Sequence, residues 1–243
     1  MGFNPDIEYD FDTLIQDADN GNLDAMETVV SYMAFHNIQK DYPDKYISYL
    51  ETLVANNLTT GNIMLGEAYT DGDCVARDIN KAIKLFNDAA KKGCMFGYEC
   101  IGMLYYEGKY IQQDYEKAFH YLKKIKGRKS FCTLFALGEM HRQGLFVSKN
   151  HRNACIYYRK IVNSKESYPE IDDYYWQACV RLGQAYHYGM GVKKDLEKAF
   201  DLMSKALTLY KSRGMNAVQH ELSFIDLDSE IDLIQKEMGG QVQ

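Results

Sequence analysis

Apolar residues return every three or four positions along most of the chain, the spacing of one buried face of an α-helix. Ala118, Phe119, Tyr121 and Leu122 make one such stripe. The pattern also repeats as a whole. Leu65-Gly66, Ile101-Gly102 and Leu137-Gly138 stand 36 residues apart, and Leu182-Gly183 follows after 45. Gly72, Gly108, Gly144 and Gly189 keep the same steps, as do Ala82, Ala118, Ala154 and Ala199. A period of this length predicts an array of stacked supersecondary units.

Each period reads as two helices. Helix A carries the apolar-Gly pair and, three residues on, Tyr69, Tyr105, His141 or Tyr186. Three residues later Gly72, Gly108, Gly144 or Gly189 ends it in the left-handed conformation. A loop leads to Asp78, Asp114, Asn150 or Asp195, whose side chains suit the N-cap of helix B. The glycine of the apolar-Gly pair, lacking a side chain, lets helix B approach the backbone of helix A. Lys81, Lys117 and Lys198 share one position, which Asn153 breaks. Only the last unit keeps a second loop glycine, Gly191; Cys74, Tyr110 and Phe146 replace it elsewhere.

The motif L-G-x-x-Y-x-x-G, a loop, then D-x-x-K-A resembles the Sel-one-like repeat (SLR) family, tetratricopeptide-like hairpins of about 36 residues. The resemblance implies an all-α fold, a right-handed α/α superhelix. Four units match over 61–96, 97–132, 133–177 (with an insertion) and 178–213. Residues 25–60 read as a degenerate first unit: Lys45, Leu50 and Asn57 fall on the positions of Lys81, Phe86 and Gly93. Residues 1–24 and 214–243 read as terminal caps, with helical patterns over 8–20 and 215–238. The C-terminal pattern comprises Val218, Leu222, Ile225, Ile231, Ile234 and Met238. An array needs such caps to cover its open ends.

Counting from the apolar-Gly glycine sorts helix A into faces. Positions −2 and +2 are Met64/Ala68, Cys100/Leu104, Ala136/Met140 and Arg181/Ala185, nearly all apolar, as packing on a neighbouring unit requires. Positions −3, +1 and +4 are mixed: Ile63/Glu67/Thr70, Glu99/Met103/Tyr106, Phe135/Glu139/Arg142 and Val180/Gln184/His187. The family resemblance implies that helix A lines a concave groove. A mixed stripe there is the composition of a peptide or protein interface. The expected partner-binding residues are Glu67, Thr70, Glu99, Met103, Tyr106, Phe135, Glu139, Arg142, Gln184 and His187. The pair Glu67→Arg with Arg142→Glu is expected to weaken a bound partner without unfolding the chain.

Two features break the period. The nine extra residues of the long step fall within 163–176. Ser167, Pro169 and Glu170 form a helix-start pattern, so helix A of the last unit is expected to begin about two turns early. That extension would display Asp172, Asp173, Tyr174, Tyr175 and Trp176, either as a contact surface or as an apolar strap. The second feature, Lys123-Lys124-Ile125-Lys126-Gly127-Arg128-Lys129, follows a helix B, where bases complement the helix dipole.

Composition narrows the function classes. The net charge is −6, and it conceals a charge of −8 over residues 1–39 and +10 over 109–165. No dominant basic surface favours nucleic acid, and the stripe carries Glu67, Glu99 and Glu139 where an RNA-reading repeat needs bases. No nucleotide, zinc-protease or serine-hydrolase motif occurs, so a hydrolase related to cysteine-rich SLR proteins is the weaker alternative. The six cysteines have no metal-site spacing, and no cofactor or metal is expected. Cysteines read as small, semi-buried residues of a reducing compartment and the lack of a basic-then-apolar leader point to the cytoplasm, or to signal-independent secretion. The expected function is a non-enzymatic adaptor or scaffold with a protein or peptide partner.

Overall fold

The computed structural model describes residues 4, 9–126, 129–164, 173–212 and 226–240. Every regular element among them is helical: twelve α-helices and one short 3-10 turn. The chain divides into two compact units, residues 1–126 and 127–243.

The first unit contains α1 (Phe11–Asp19), α2 (Leu23–His36), α3 (Pro43–Ala55), α4 (Thr59–Asp71), α5 (Ile79–Lys91), α6 (Phe96–Glu107) and α7 (Tyr115–Lys124). Each of these helices packs on the next in sequence, including α1, α2 and α3, which precede the recognised motif. The core runs through Met33, Leu50, Leu53, Phe86, Ile101 and Leu122, all without appreciable exposure. The second unit contains α8 (Phe131–Gln143), α9 (His151–Val162), α10 (Asp173–Tyr188), α11 (Leu196–Ser212) and α12 (Leu227–Gly240). Its core holds Leu137, Met140, Tyr158, Ile161, Trp176 and Met203.

One local mechanism builds each of the four motif hairpins, α4–α5, α6–α7, α8–α9 and α10–α11. The Asp78, Asp114, Asn150 and Asp195 side chains accept the backbone N–H three residues on, at 2.9–3.1 Å. Their own N–H groups donate to the carbonyls of Tyr69, Tyr105, His141 and Tyr186 at 2.7–3.0 Å, which closes each loop. Gly72, Gly108, Gly144 and Gly189 all have positive φ. Two residues further on, Gly191 is left-handed too, and so are Cys74 and Phe146, despite their side chains. The loop geometry therefore persists without its glycine at Cys74 and Phe146, but not at Tyr110, whose φ is not positive.

The apolar-Gly glycines receive a large side chain from helix B. A Cβ on Gly66 would stand 2.5 Å from the Phe86 ring, one on Gly102 2.6 Å from Leu122, and one on Gly138 2.5 Å from Tyr158. In the last unit Gly183 meets the flexible Met203 at 3.0 Å.

The shared lysine also has a partner. Lys81, Lys117 and Lys198 lie over the rings of Tyr69, Tyr105 and Tyr186 at 5.0, 5.0 and 5.6 Å, a cation–π contact. The third unit departs at both positions together. His141 stacks instead on Tyr157, with ring centres 5.7 Å apart.

The expected early start of the last helix A is partly visible. α10 begins ten residues before Gly183, against seven before Gly138 in α8, about one turn more. Ser167, Pro169, Glu170 and Asp172 lie outside the described residues, as do Gly127, Arg128, Val218, Leu222 and Ile225. Of the C-terminal pattern, Ile231 and Ile234 are buried in α12. In the basic run, Lys124 sits over Tyr98 and Tyr121 at 5.3 and 4.7 Å, so it is engaged with its own unit.

Candidate functional site

The helix-A stripe divides into surface and interior. In the first unit Glu67 is exposed, while Thr70, Met103 and Tyr106 are half-buried. The Thr70 hydroxyl donates to the Gly66 carbonyl at 2.9 Å, and the Tyr106 ring meets Tyr115 at 5.9 Å. Glu67 combines exposure with a carboxyl raised above its ordinary value, first by desolvation and then by Asp71. Glu99, expected at the surface, is buried in α6.

The second unit places more of the stripe inside. Phe135 is buried against Tyr158 and Tyr174, at ring distances of 5.8 and 5.5 Å. The Glu139 side chain is only 4% exposed and is ringed by donors. Arg142 donates from Nε to Oε1 at 2.8 Å and from Nη2 to Oε2 at 2.6 Å, a bidentate pair. Arg181 of α10 donates its Nε to Oε1 at 3.0 Å, the Tyr158 hydroxyl reaches Oε1 at 2.6 Å, and Gln143 reaches Oε2 at 2.9 Å. Burial by itself would raise this carboxyl. The Arg142 hydrogen bonds, the charges of Arg181 and Arg142 and the Tyr158 hydroxyl outweigh it and hold the group at about 2. Two guanidiniums on one carboxylate leave an excess positive charge, and Gln184 flanks it, half-buried, within 3.5 Å of Arg181.

Several expectations are corrected by this packing. Glu139 serves as an internal tie between α8 and α10 and is not a groove surface. Arg142→Glu would set a second carboxylate against Glu139, so the swap with Glu67→Arg is not neutral to folding. Tyr175 and Trp176 do not project: each is 2% exposed. The Tyr175 hydroxyl accepts from the Lys205 ammonium at 2.7 Å, and the Trp176 ring lies against Tyr210 at 5.4 Å. Tyr174 is half-buried on Phe135. These aromatics close the core because the longer helix A carries them over α9 and α11. His187 is 0% exposed, its two ring nitrogens 3.1 and 3.0 Å from the carboxylates of Glu230 and Glu237 on α12. α12 thus covers the end of the stripe on the last helix A.

Arg181 was missed as a member of this cluster. Its signal was a lone charge in the otherwise apolar −2 and +2 columns.

A family model described as Sel1 repeat matches residues 60–94, 101–125, 133–163 and 176–209, more than half of the chain. The chain belongs to the Sel1 repeat family. The Sel1 matches cover the hairpins α4–α5, α6–α7, α8–α9 and α10–α11. Among solved structures, the fold is similar to a protective antigen of uropathogenic Escherichia coli strains displaying an SLR fold. That match has a TM-score of 0.61 and 18% identity over 93% of this chain, and this chain spans 56% of that protein's length. A Sel1 repeat protein from Oxalobacter formigenes matches at 0.61 with 19% identity, covering 96% of this chain and all of the other. A putative Sel1 repeat protein from Klebsiella pneumoniae subsp. pneumoniae matches at 0.51 with 14% identity, over 93% of this chain and 99% of the other. No curated protein matches the sequence. At these identities the likeness establishes the fold alone. Sel1-repeat folds commonly mediate protein–protein interaction and are generally non-catalytic scaffolds. No helix among the described residues is long and apolar enough to cross a membrane.

Proposed function

We propose that this Sel1 repeat protein is a non-enzymatic adaptor whose helix-A stripe holds an extended segment of a protein partner. The observation that carries the reading is Arg142, whose side chain stays 31% exposed over the internal Glu139–Arg181 tie, beside half-buried Gln184. Such an excess charge, held rigid by its own ion pairs, is suited to a carboxylate of the partner. In the first unit Met103 and Tyr106 supply apolar contact, while Glu67 and Thr70 supply polar selection. Glu99, Phe135, Tyr175, Trp176 and His187 support the stripe from inside.

The test is affinity capture, followed by calorimetry with the purified partner. A variant carrying Met103→Glu, Tyr106→Ala and Gln184→Ala should weaken binding at least about a hundredfold, since interface anchors cost about 1–3 kcal/mol each. A variant that retains its helical content and binds the partner unchanged removes the stripe as the docking surface.

A further inference from the structure

The second unit contains a cavity of about 530 Å³ that shares no residue with the helix-A stripe. One wall is the α9 face bearing Arg152, Ile156 and Arg159; the other is the α10–α11 loop, with Val192 and Lys193. The spacing i, i+4, i+7 puts the three α9 residues on one side of the helix, with about 10 Å of rise between the two arginines. Ile156, between them, is 43% exposed, unusual for an isoleucine flanked by charges.

The loop is held against α9 by its own geometry. Gly191 has a φ of 72°, and a Cβ there would fall inside contact distance of the Arg152 backbone. The Cys155 thiol donates to the Met190 carbonyl at 3.4 Å. The cavity is thus a formed feature of two packed elements. It also explains why the last repeat alone keeps the second loop glycine.

The charge is one-sided. Five bases and a single acid, Asp195, line the cavity. Lys198 is committed to Asp195 at 2.6 Å, and Lys194 to Glu237 at 2.6 Å. Among the described residues no carboxylate lies in ion-pair contact with Arg152, Arg159 or Lys193, although Lys193 is near enough to Asp195 to help Lys198 lower its carboxyl. The Arg159 guanidinium lies 6.0 Å from the centre of the Tyr186 ring, which steadies it in the wall. His151, next to Arg152, is depressed below its ordinary value, first by burial and then by the charges of Lys149 and Arg142. The surroundings of the cavity are therefore positive beyond its own lining.

We infer that this cleft is a second docking site, for a peptide segment in which two acidic residues flank an apolar one. One phosphate is too small to bridge arginines about 10 Å apart along the helix. A polyphosphate could span them, but would lay charge over Ile156 and Val192. A polyproline-type peptide places residues three apart on the same side at about 9 Å, matching the arginine spacing. The apolar residue between the acids turns about 120° from them, toward Val192 on the loop wall and the edge of Ile156, and Lys193 faces the peptide from the loop.

The experiment uses the full chain and the fluorescein-labelled peptide Ser-Pro-Glu-Leu-Pro-Glu-Ser, read by anisotropy. Saturable binding tighter than about 1 mM is expected, weakening steeply with salt. Replacing the peptide Leu by Ser, or both Glu by Gln, should each weaken it about tenfold or more. Arg152→Gln with Lys193→Glu, both at exposed positions, should abolish binding without shifting the melting curve. Ile156→Ser should reproduce the loss seen with the Ser peptide. No saturable binding, or binding indifferent to Arg152→Gln with Lys193→Glu, overturns the assignment. So does equal competition by sodium tripolyphosphate that persists in Ile156→Ser, since the site would then read charge alone. Variants at Met103, Tyr106 and Gln184 leave this cleft intact, so its failure and that of the helix-A stripe are separately visible.

Discussion

Glu139→Gln isolates the charge of the buried carboxylate at nearly constant volume. In the native protein the group is held at about 2 against an ordinary carboxylate value of 4.5. That displacement corresponds to about 3 kcal/mol of preference for the ionised form in the fold. Amide replacement also leaves the Arg181 side chain, only 11% exposed, without its carboxylate. Breaking one partner of a buried pair costs about 3–5 kcal/mol, so the two estimates agree. The assay is urea unfolding followed by Trp176, the single tryptophan and a buried reporter in the second unit. With a denaturant slope of about 2 kcal/mol per M, the midpoint should fall by about 1.5–2.5 M. The pH dependence has a defined sign. The folded value lies below the unfolded one, so the stabilisation is complete above the unfolded carboxylate value and is lost as pH falls from about 4.5 toward 2. Wild type and Glu139→Gln should therefore converge in acid. A midpoint change below about 0.3 M, or a gap between the two that does not close in acid, would refute the buried-tie account. Glu139→Leu with Arg142→Met and Arg181→Met should recover part of the loss, because apolar replacement then removes the carboxylate and both guanidiniums together.

Three further outcomes follow from the packing. Gly138→Ala drives a methyl into the rigid Tyr158 ring and should cost about 2–3 kcal/mol, whereas Gly183→Ala, facing flexible Met203, should cost under about 1 kcal/mol; thermal melts of the two variants compare them directly. Asn150→Ala removes the N-cap of α9 and should destabilise by about 1 kcal/mol in urea titration, with no change in denaturant slope. His187→Leu leaves the Glu230 and Glu237 carboxylates facing an apolar group, so α12 should lose hydrogen-exchange protection over 227–240 while α8 and α9 keep theirs.

The hairpin was readable because its signals are local. A loop glycine, an N-cap Asp or Asn and an apolar-Gly pair each act within one hairpin, and their 36-residue recurrence marks the family. The Lys-over-Tyr contact was visible as a shared position but not as an interaction, and its meaning came from the joint loss at His141 and Asn153. The candidate surface was less readable. Position −3, +1 or +4 assigns a side chain to a face of its helix, but not to what the next helix lays over that face. Glu67 and Glu139 occupy the same +1 position, yet one is exposed and the other buried beneath Arg142 and Arg181. His187 and Thr70 share +4, and only His187 is sealed, by a helix some 40 residues later.

What the sequence determined by itself was the helical hairpin, its repetition and its loop conformation, because capping, glycine geometry and amphipathic period depend on neighbours in the chain. Tertiary structure decided which polar groups are tied inside, where Tyr175 and Trp176 point, and that Arg152, Ile156 and Arg159 meet a lysine-bearing loop across a cleft. Those outcomes depend on desolvation and on contacts between helices distant in sequence, and no single-helix periodicity carries that information.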